Sequence, residues 1–385
     1  MSARYDAVIA GGGLSGLSLA AHLASQGWGN RSVLILDDAR SRPSATSWGF
    51  WSVGPGLLDA AVSRTYDRVR IHADGGARVL ALHPYRYRVV ERSDLCRVVG
   101  AMVGRCPAFR LASGRVEEIR DGPDGGLVIV DGEPVRGDWV FDSVTPPPAA
   151  TPVDARLAFT GWEVRCDRPV FDAAVPVLFD FRTPQADGSR FVYVLPNGAH
   201  QALVELTEFV PRTGRPPAAA DRRDAIARYL AGVVGVDEYE VLRTESAVLP
   251  LRTRPARRRS GRVLTIGAAA GMVKASTGYA FQRIQRDSAA IAASLVQNGH
   301  PFATPAARSR YRVLDAVMLD VLERDPAQLE LAFAQLFRGN PVERVLSFLD
   351  EATRIADDLK LMASLPPGPY LRALARRTMS RQRRP

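Results

Sequence analysis

The feature that most constrains this chain is a glycine-rich turn near its start. Residues 5–10 (YDAVIA) are a short apolar, β-branched run that predicts a strand, and Gly11-Gly-Gly-Leu-Ser-Gly16 follows directly. Residues 17–23 (LSLAAHL) then predict a helix, and residues 33–36 predict a second strand that ends at Asp37. Strand, glycine turn, helix and strand make a βαβ unit of the Rossmann, dinucleotide-binding kind.

The spacing G-x-G-x-x-G in this context gives each glycine a physical role. Gly11 permits the turn, Gly13 lets the main chain approach a pyrophosphate, and Gly16 lets the helix pack closely against the strand. The helix N-terminus attracts the phosphates, and Asp37 is placed to accept hydrogen bonds from ribose hydroxyls. The predicted contacts of the turn are Gly11, Gly13, Leu14, Ser15 and Gly16.

Two later features favour FAD over NAD as the dinucleotide. Arg92 lies in a V-x-R-x-x-L segment that resembles the arginine-bearing helix of aromatic-hydroxylase-like flavoproteins, although a surface arginine is the competing interpretation. Residues 262–266 predict a buried strand, followed by Gly267-Ala-Ala-Ala-Gly271, where that group carries its second flavin contact. Ala268 stands where many of those enzymes have an aspartate, so we expect a different contact to the ribityl chain.

The pattern along the chain predicts an α/β protein with three parts. We expect a discontinuous Rossmann-like FAD-binding domain at 1–150 and 250–305, with 60–90 partly contributing to the substrate side. Residues 151–249 are rich in predicted strands, and alternation over 157–210 predicts an antiparallel sheet that forms a substrate domain. Residues 306–385 have helical periodicity, broken near Pro326 and Pro341, and end in a basic tail.

Composition leaves the partner open but removes several classes of protein. The chain has 385 residues, of which 51 are basic and 41 acidic, for a net charge of +10. A basic balance is compatible with nucleic acid, an anionic membrane or an acidic ligand. Three cysteines without a C-x-x-C pair support neither a disulfide framework nor a zinc site, and we predict no bound metal. No apolar run is long enough for a membrane span and no signal peptide is recognisable, so we expect a cytoplasmic protein.

Several segments, in the same order along the chain, resemble the bacterial lycopene cyclase family, which are FAD-containing enzymes of carotenoid synthesis. The resemblance spans about residues 5 to 350. The segments are 47–51 (SWGFW, like T-W-C-F-W), 84–87 (PYRY), Asp142-Ser143 (like D-S-R), 161–209, and 274–286 (KASTGYAFQRIQR, like K-P-S-T-G-Y-T-F).

The resemblance implies an isomerase of the intramolecular lyase class. The linear ψ-end of lycopene would be protonated, closed to a six-membered ring and deprotonated to a β-ionone ring, giving γ-carotene or β-carotene. The reaction is redox-neutral, so FAD would act in its reduced form and NAD(P)H would serve only as its reductant. The implied flavin contacts beyond the first turn are Asp37, Arg92, Asp142, Gly267, Ala268, Gly271, Thr277 and Gly278.

Glu205 is the candidate proton donor. It lies in the strand segment Ala202-Leu-Val-Glu-Leu-Thr207, where burial against an apolar cavity would raise the carboxyl pKa and keep the group protonated. It also matches the catalytic glutamate of the family by position. The competing interpretation is that Glu205 faces solvent on an alternating strand, and Glu208 is a weaker candidate on the opposite face.

A tertiary cation in an apolar pocket is stabilised by aromatic faces, so aromatic residues in the family segments are candidate substrate contacts. Plain core packing is the alternative for about half of them. Tyr279 and Phe281, beside the expected isoalloxazine loop 276–278, are the strongest candidates. Lys274 either contacts flavin or lies on the surface. The full set is Trp48, Phe50, Trp51, Phe191, Tyr193, Tyr279 and Phe281.

Some positions depart from the family pattern. Gly49 replaces the usual cysteine of the early motif, Ala275 replaces a proline, and Leu206 follows Glu205 in place of an acidic residue or tyrosine. None removes a proposed catalytic group. They leave the substrate open among lycopene, a monocyclic carotene and a shorter polyprenyl chain.

Two basic segments bear on the partner. Residues 252–262 hold six arginines, and residues 366–385 hold six more with no acidic residue. A solvated surface is one interpretation; the other is attraction to anionic lipid, with Tyr370, Leu371 and Leu374 inserting beside Arg372, Arg376 and Arg377. A hydrophobic polyene substrate favours a peripheral membrane protein, and without a nucleic-acid motif we expect no nucleic-acid partner.

The sequence is also compatible with two other functions. A flavin-dependent monooxygenase or epoxidase of the same broad fold would consume NADPH and oxygen. A non-catalytic polyene or flavin carrier would not need Glu205.

Overall fold

The computed structural model describes residues 3–38, 46–148, 151–185, 188–254, 257–306 and 308–382. Over these residues the strands form three sheets. The strands are β1 (Ala3–Ala10), β2 (Val33–Asp37), β3 (Ser47–Ser52), β4 (Val62–Tyr66), β5 (Arg68–Ala73), β6 (Gly76–Ala81), β7 (Arg86–Glu91), β8 (Phe109–Ser113), β9 (Val116–Arg120), β10 (Gly126–Val130), β11 (Glu133–Asp142), β12 (Ala155–Arg165), β13 (Val177–Asp180), β14 (Ser189–Pro196), β15 (Gln201–Pro211), β16 (Glu240–Leu251), β17 (Arg259–Ser260) and β18 (Val263–Thr265).

Helices pack against the glycine-turn sheet, and helices also form the C-terminal part of the described chain. A short 3₁₀ turn (Asp59–Ala61) and a π-helical turn (Leu230–Val234) accompany them. The α-helices are α1 (Leu14–Ser25), α2 (Arg92–Val103), α3 (Ala219–Tyr229), α4 (Phe281–Asn298), α5 (Ser309–Arg324), α6 (Gln328–Gly339), α7 (Val342–Leu349), α8 (Ile355–Ala363) and α9 (Pro367–Gln382).

The first sheet is built around β1. Its order is β17-β18-β11-β1-β2-β8, and β1 pairs in parallel with both β2 and β11, while β9 and β10 extend it beside β11. Residues 7–10 of β1 have no exposed surface, because helices cover this parallel sheet. Helix α1 packs against α2 and α4, so the predicted βαβ unit is present and buried.

The second sheet has the order β16-β12-β15-β14-β13-β5-β6 and is antiparallel except between β13 and β5. The four strands β12 to β15 fall within the region where alternation predicts an antiparallel sheet. Strands β5 and β6 come from the 60–90 region and extend the same sheet, whereas β3, β7 and β4 form a separate three-stranded sheet.

Strand β15 is buried on both faces. Leu203 and Phe209 contribute to a core shared with the C-terminal helices, and Val204 and Leu206 contribute to a second core that includes α3 residues. Residues at odd and even positions therefore face different apolar layers, since side chains alternate along a strand. Between residues 202 and 210 every residue of β15 is buried except Glu205, which is partly buried.

The C-terminal helices pack against the second sheet. Phe333 of α6 contacts Phe179 and Phe181, with ring centroids 4.3 and 6.2 Å away. The chain leaves α5 just before Pro326 and enters α7 just after Pro341, where the sequence predicts the breaks. No helix in the described part of the chain is both long and apolar enough to cross a bilayer.

Candidate active site

The glycine turn after β1 disfavours a side chain at Gly11 because of its backbone conformation and at Gly16 because of close packing. Gly11 has a φ of 111°, which only glycine adopts readily. A Cβ on Gly16 would lie 1.8 Å from the Gly11 carbonyl oxygen. Helix α1 begins directly after Gly13, so its N-terminal amides face the turn. This is the geometry of an anion-binding helix N-terminus.

Arg92 connects the start of α2 to this turn. Its Nη2 donates to Asp37 Oδ2 at 2.8 Å, and its Nη1 donates to the Gly12 carbonyl oxygen at 3.1 Å. Its side chain is 13% exposed, so the interpretation of Arg92 as a surface arginine is wrong. Arg92 and Asp37, predicted separately from two distant segments, lie together at the edge of the glycine turn.

The loop after β18 lies against the first turn. Gly267 has a φ of 70°, and a Cβ there would lie 2.3 Å from Ser15 Oγ. Asp142, at the end of β11, uses Oδ1 to accept the backbone N–H groups of Val144 and Thr145 at 3.0 and 2.9 Å. Its carboxylate therefore stabilises the turn that follows β11, beside these loops.

The signature segment that follows brings this region to the second sheet. Gly278 has a φ of 81°, and a Cβ there would lie 2.2 Å from Leu157 Cδ2 of β12. The Gly278 N–H donates to the Lys274 carbonyl oxygen at 2.8 Å, which closes the loop tightly. Thr277 and Gly278 thus occupy the junction between the glycine-turn sheet and the β-rich sheet.

One cavity of about 360 Å³ joins these elements. On one side it is lined by predicted flavin contacts, and on the other by strands of the second sheet and by β7 of the three-stranded sheet. The first group is Leu14, Ser15, Ala268, Thr277 and Gly278; the second includes Tyr87, Leu157, Tyr193, Leu203, Glu205 and Glu245. The wall is mostly apolar, so a charged group is costly there unless it is paired.

Two carboxyl groups lie side by side in this wall. Glu205 of β15 and Glu245 of β16 are both register partners of Gly161 on the strand between them. Burial raises the pKa of Glu205 well above its usual range, and the neighbouring Glu245 carboxyl raises it further. Burial also raises the pKa of Glu245, against the opposing effects of its hydrogen bonds and Arg243. Both effects favour the protonated form of the pair, and they act most strongly on Glu205.

Three tyrosine hydroxyls lie beside the carboxyl pair. Tyr193 and Tyr279 are hydrogen-bonded at 3.1 Å, and Tyr87 lines the same cavity. Burial raises the pKa of all three phenols well above the usual range, so they stay neutral. A Cβ on Gly49 would lie 1.9 Å from Tyr87 Oη. The glycine that replaces the expected cysteine thus leaves room for this hydroxyl.

Comparison with known proteins assigns a family to this arrangement. The sequence profile described as lycopene cyclase protein matches residues 6–375. The chain belongs to the lycopene cyclase family. Lycopene beta-cyclase of Pantoea ananas is 27% identical over 240 residues, which cover 56% of this chain and 58% of that protein. Neoxanthin synthase of Solanum tuberosum is 24% identical over 318 residues, which cover 77% of this chain and 61% of that protein. The chain thus spans about three fifths of the length of these curated relatives.

Solved structures with the same fold are flavoproteins of diverse activity. A geranylgeranyl bacteriochlorophyll reductase-like protein of Thermoplasma acidophilum matches with a TM-score of 0.65 at 13% identity, covering 96% of this chain and 98% of that one. An HpxO variant of Klebsiella pneumoniae, complexed with FAD, matches with a TM-score of 0.60 at 17% identity, covering 90% and 98%. At such identities the likeness shows the fold alone, and it confirms the predicted aromatic-hydroxylase-like flavoprotein class.

The aromatic residues predicted from the lycopene cyclase segments divide into two groups. Four of them line the cavity, and three are packed in the core instead. The cavity group is Trp48, Tyr193, Tyr279 and Phe281. Phe50 stacks on Phe281 with centroids 4.0 Å apart, Trp51 donates its indole N–H to the Leu346 carbonyl oxygen, and Phe191 is 2% exposed among other rings. Substrate contact by Phe50, Trp51 and Phe191 is therefore not supported, because the aromatic core encloses them.

Lys274 meets neither of its two sequence interpretations. It is 2% exposed and its Nζ lies 2.8 Å from Asp315 Oδ1 and 3.3 Å from Glu351 Oε1. Lys274 forms a buried ion pair with residues of the C-terminal helical region. Glu208 is likewise buried and pairs with Arg190 on the face opposite Glu205, which removes it as an alternative donor.

Sequence reasoning missed Glu245, Tyr87 and Gly161. Tyr87 and Gly161 lie inside segments that resemble the lycopene cyclase family, but no property of either residue alone indicates a place at the site. Glu245 lies outside those segments and is one acidic residue in a mixed polar strand. The strand register brings Glu245 to Glu205, and that pairing joins residues 40 positions apart. The only local signal is Gly161 within a strand, which commonly marks a close approach of other groups.

Proposed function

We propose that this protein cyclises the linear ψ-end of lycopene to a β-ionone ring, with Glu205 as the proton donor. The observation that carries the proposal is the position of Glu205 in an apolar cavity that also reaches the glycine turn and the loop at Thr277 and Gly278. Membership of the lycopene cyclase family supports carotenoid chemistry, and burial in the cavity raises the pKa of Glu205, which favours the protonated acid that the reaction needs.

The residues of the first sheet fit a bound FAD. A side chain would fill the cradle at Gly16, and Gly267 brings the second loop against Ser15. The pyrophosphate would be held by Gly11, Gly13 and the start of α1, and the ribose by Asp37. The flavin end of the molecule would contact Ala268 and Gly271. When bound in reduced form, with NAD(P)H only as reductant, the flavin supplies negative charge that stabilises a neighbouring cation.

The protein's own part in the reaction follows from the cavity wall. Protonated Glu205 donates its proton to the terminal double bond, which creates a tertiary cation, and attack by the neighbouring alkene closes the ring. The faces of Trp48, Tyr193, Tyr279 and Phe281 stabilise the positive charge. The apolar wall excludes water, which would otherwise trap the cation as an alcohol. Loss of a ring proton completes an isomerisation without net redox change.

The decisive experiment is anaerobic turnover. Purified protein with reduced FAD and lycopene liposomes is expected to form cyclic carotenes, separated by chromatography, without net consumption of reductant. Glu205→Gln should keep flavin and lose at least about a hundredfold in rate, as expected for removal of a general acid. Glu240→Gln is the matched control, because Glu240 is an exposed glutamate paired with Arg165.

Three results would contradict the proposal. Unchanged lycopene with flavin-loaded wild-type protein rejects lycopene as substrate, and monocyclic carotene and shorter polyprenyl chains are then the next substrates. Stoichiometric use of NADPH and oxygen would indicate a monooxygenase or epoxidase. Normal cyclisation by Glu205→Gln would remove Glu205 from its role.

We also propose that the protein docks peripherally on a membrane from the cytoplasmic side. Leu371 and Leu374 of α9 are 61% and 42% exposed, and Ile355 and Leu359 of α8 are 63% and 65% exposed. Such side chains can insert into the lipid interface from which a polyene must be drawn. Tyr370 packs against the core instead of pointing outward. The expected result is co-sedimentation with anionic liposomes that weakens in Leu371→Asp; equal binding by that variant would refute this surface.

Not all of the arginines expected at the membrane are available for it. Arg376 is paired with Asp320, and Arg258 with Asp287. Arg259 and Arg262 lie over the rings of Phe302 and Trp139, 3.9 and 4.5 Å from their centroids. The last three arginines of the tail, at 381, 383 and 384, have side chains outside the described part of the chain. We therefore assign the membrane attraction mainly to apolar insertion, which predicts weak dependence on salt.

A further inference from the structure

We propose that Glu245 is a positioning residue for Glu205, and that the two carboxyl groups share one proton, with Glu245 as the ionised partner. This inference rests on the proposed cyclisation. It explains how the proton donor keeps its proton and stays directed into the cavity.

The strand register creates the pair. Glu205 and Glu245 lie on the two strands that flank β12, and both are opposite Gly161. A Cβ on Gly161 would lie 3.1 Å from Glu245 Cγ and 3.4 Å from Glu205 Cβ. The missing side chain leaves a space on the cavity face toward which both carboxyl side chains extend, close enough for each to affect the pKa of the other. A hydrogen bond between two carboxyl groups requires one of them to carry the proton.

The surroundings of the two groups decide which one is ionised. Glu245 is 6% exposed, accepts the Ser47 N–H at 3.0 Å and feels the positive charge of Arg243 on its own strand. The Thr207 hydroxyl donates to Glu205 at 3.1 Å, and no cation faces that carboxyl within the described residues. The negative charge is therefore more stable on Glu245, and the proton resides on Glu205.

Within the part of the chain that the structure describes, the titratable groups that face the pair lie on two sides of it. On the Glu245 side they are Arg243, which also pairs with Glu91 and Glu163, and Glu91 itself, whose charge opposes ionisation of Glu245. On the Glu205 side they are the neutral phenols of Tyr87, Tyr193 and Tyr279. Arg243 is thus the cation that holds the charge of the pair on the Glu245 side.

The arrangement also accounts for both proton transfers. Donation breaks the Glu205 O–H bond, forms a C–H bond on the substrate and leaves two adjacent carboxylates. Like charges at this distance repel strongly, so the pair readily takes up a proton again. Loss of the ring proton breaks a C–H bond and restores the single proton of the pair. No electron is gained or lost in either step.

The test is Glu245→Gln in the flavin-loaded full-length protein. Without the neighbouring charge, the pKa of Glu205 falls, so the basic limb of the pH–kcat profile should move down by about one pH unit or more, while KM changes little. Glu240→Gln on the same strand is the matched control and should leave the profile unchanged. Glu245→Asp keeps a carboxylate and should keep most of the wild-type basic limb, which also provides a second variant if the amide destabilises the protein.

A spectroscopic readout separates failure of this inference from failure of the proposed function. Infrared spectroscopy of the wild type at neutral pH should show the carbonyl band of a protonated buried carboxylic acid, whether or not lycopene is cyclised. The band should persist in Glu240→Gln, disappear in Glu205→Gln and titrate at lower pH in Glu245→Gln. An unchanged basic limb or an unchanged infrared titration in folded Glu245→Gln would overturn the proton-sharing pair. Absence of cyclisation by the wild type, with the infrared behaviour as expected, would instead overturn the proposed function alone.

Discussion

Replacement of Lys274 by methionine tests the buried ion cluster that joins the signature loop to the C-terminal helices. The Lys274 Nζ lies 2.8 Å from Asp315 Oδ1 and 3.3 Å from Glu351 Oε1, and the lysine side chain is 2% exposed. Ser276 also donates to Asp315 at 2.6 Å, so the loop residues and α5 share one carboxylate. Methionine keeps an unbranched apolar chain that is one atom shorter than lysine, and it removes the charge together with the hydrogen bonds that Nζ donates.

The expected cost follows from these distances. At 2.8 Å, unit charges attract by roughly 6 kcal/mol at an effective dielectric constant of about 20. Part of this attraction is offset by the desolvation that both ions already suffer in the folded protein. Removing one partner of a buried pair typically costs about 3–5 kcal/mol, because the remaining carboxylate is left buried without its cation. We expect Lys274→Met to lower the free energy of unfolding by that amount.

Urea denaturation followed by fluorescence measures the effect. The matched control is Lys360→Met, since Lys360 is the only other lysine of the chain and is exposed, so its replacement should change stability by about 0.5 kcal/mol or less. The double variant Lys274→Met/Asp315→Asn should recover part of the loss, because the orphaned charge is gone. A loss below about 1 kcal/mol in Lys274→Met, or strict additivity in the double variant, would refute the reasoning.

Three further predictions concern the glycine contacts and the pH dependence of stability. Gly49→Cys, which brings a Cβ to 1.9 Å from Tyr87 Oη, should cost about 1–3 kcal/mol by thermal denaturation, and Tyr87→Phe should restore only part of it because Cζ is still 2.7 Å away. Gly16→Ala should lower the flavin content measured by visible absorbance, whereas Gly100→Ala, with nothing within 4 Å, should not; equal flavin in both would contradict the cradle. Because the pKa of Glu205 is raised, the folded protein keeps a proton that the unfolded chain releases near about pH 4.3. The stability of the wild type should therefore fall as the pH rises above about 4.3. The stability of Glu205→Gln relative to the wild type should therefore increase from about pH 5 to about pH 8. A difference in the free energy of unfolding that stays constant over this range would show that Glu205 is not protonated in the folded protein.

Local patterns predicted the first sheet well because their constraints lie within a few residues. The strand, turn and helix at 5–23 follow from β-branched residues, glycine spacing and helical periodicity, and Asp37 follows at the expected distance. The segment around Arg92 does not by itself distinguish a site residue from a surface arginine. The distinction depends on hydrogen bonds to Asp37 and to the Gly12 carbonyl oxygen, 55 and 80 residues earlier in the chain. Only the folded chain shows which arginines have lost contact with solvent.

The aromatic residues show the limit of motif reasoning most clearly. Trp48 lines the cavity, whereas Phe50 and Trp51 of the same motif are buried in the core. Family resemblance points to the segment as a whole, but the direction of each side chain depends on strand pairing and on the helices that cover the sheet. Alternation along β3 places Trp48 and Phe50 on one face and Trp51 on the other, so alternation alone does not separate the cavity residue from the two buried ones. Stacking against Phe281 encloses Phe50.

By itself, the sequence determined that a dinucleotide-binding βαβ unit, a strand-rich middle region and a helical C-terminal part occur in this order, and it singled out Glu205 as a carboxyl group in an apolar strand. Tertiary structure decided that Glu205 faces a cavity shared with the glycine turn, that Glu245 lies beside it across Gly161, and that Lys274 is buried in an ion cluster. The physical reason is range. Turn geometry and periodicity act between near neighbours in the chain, whereas a carboxyl pair and a buried lysine depend on strand register and helix packing between residues tens of positions apart.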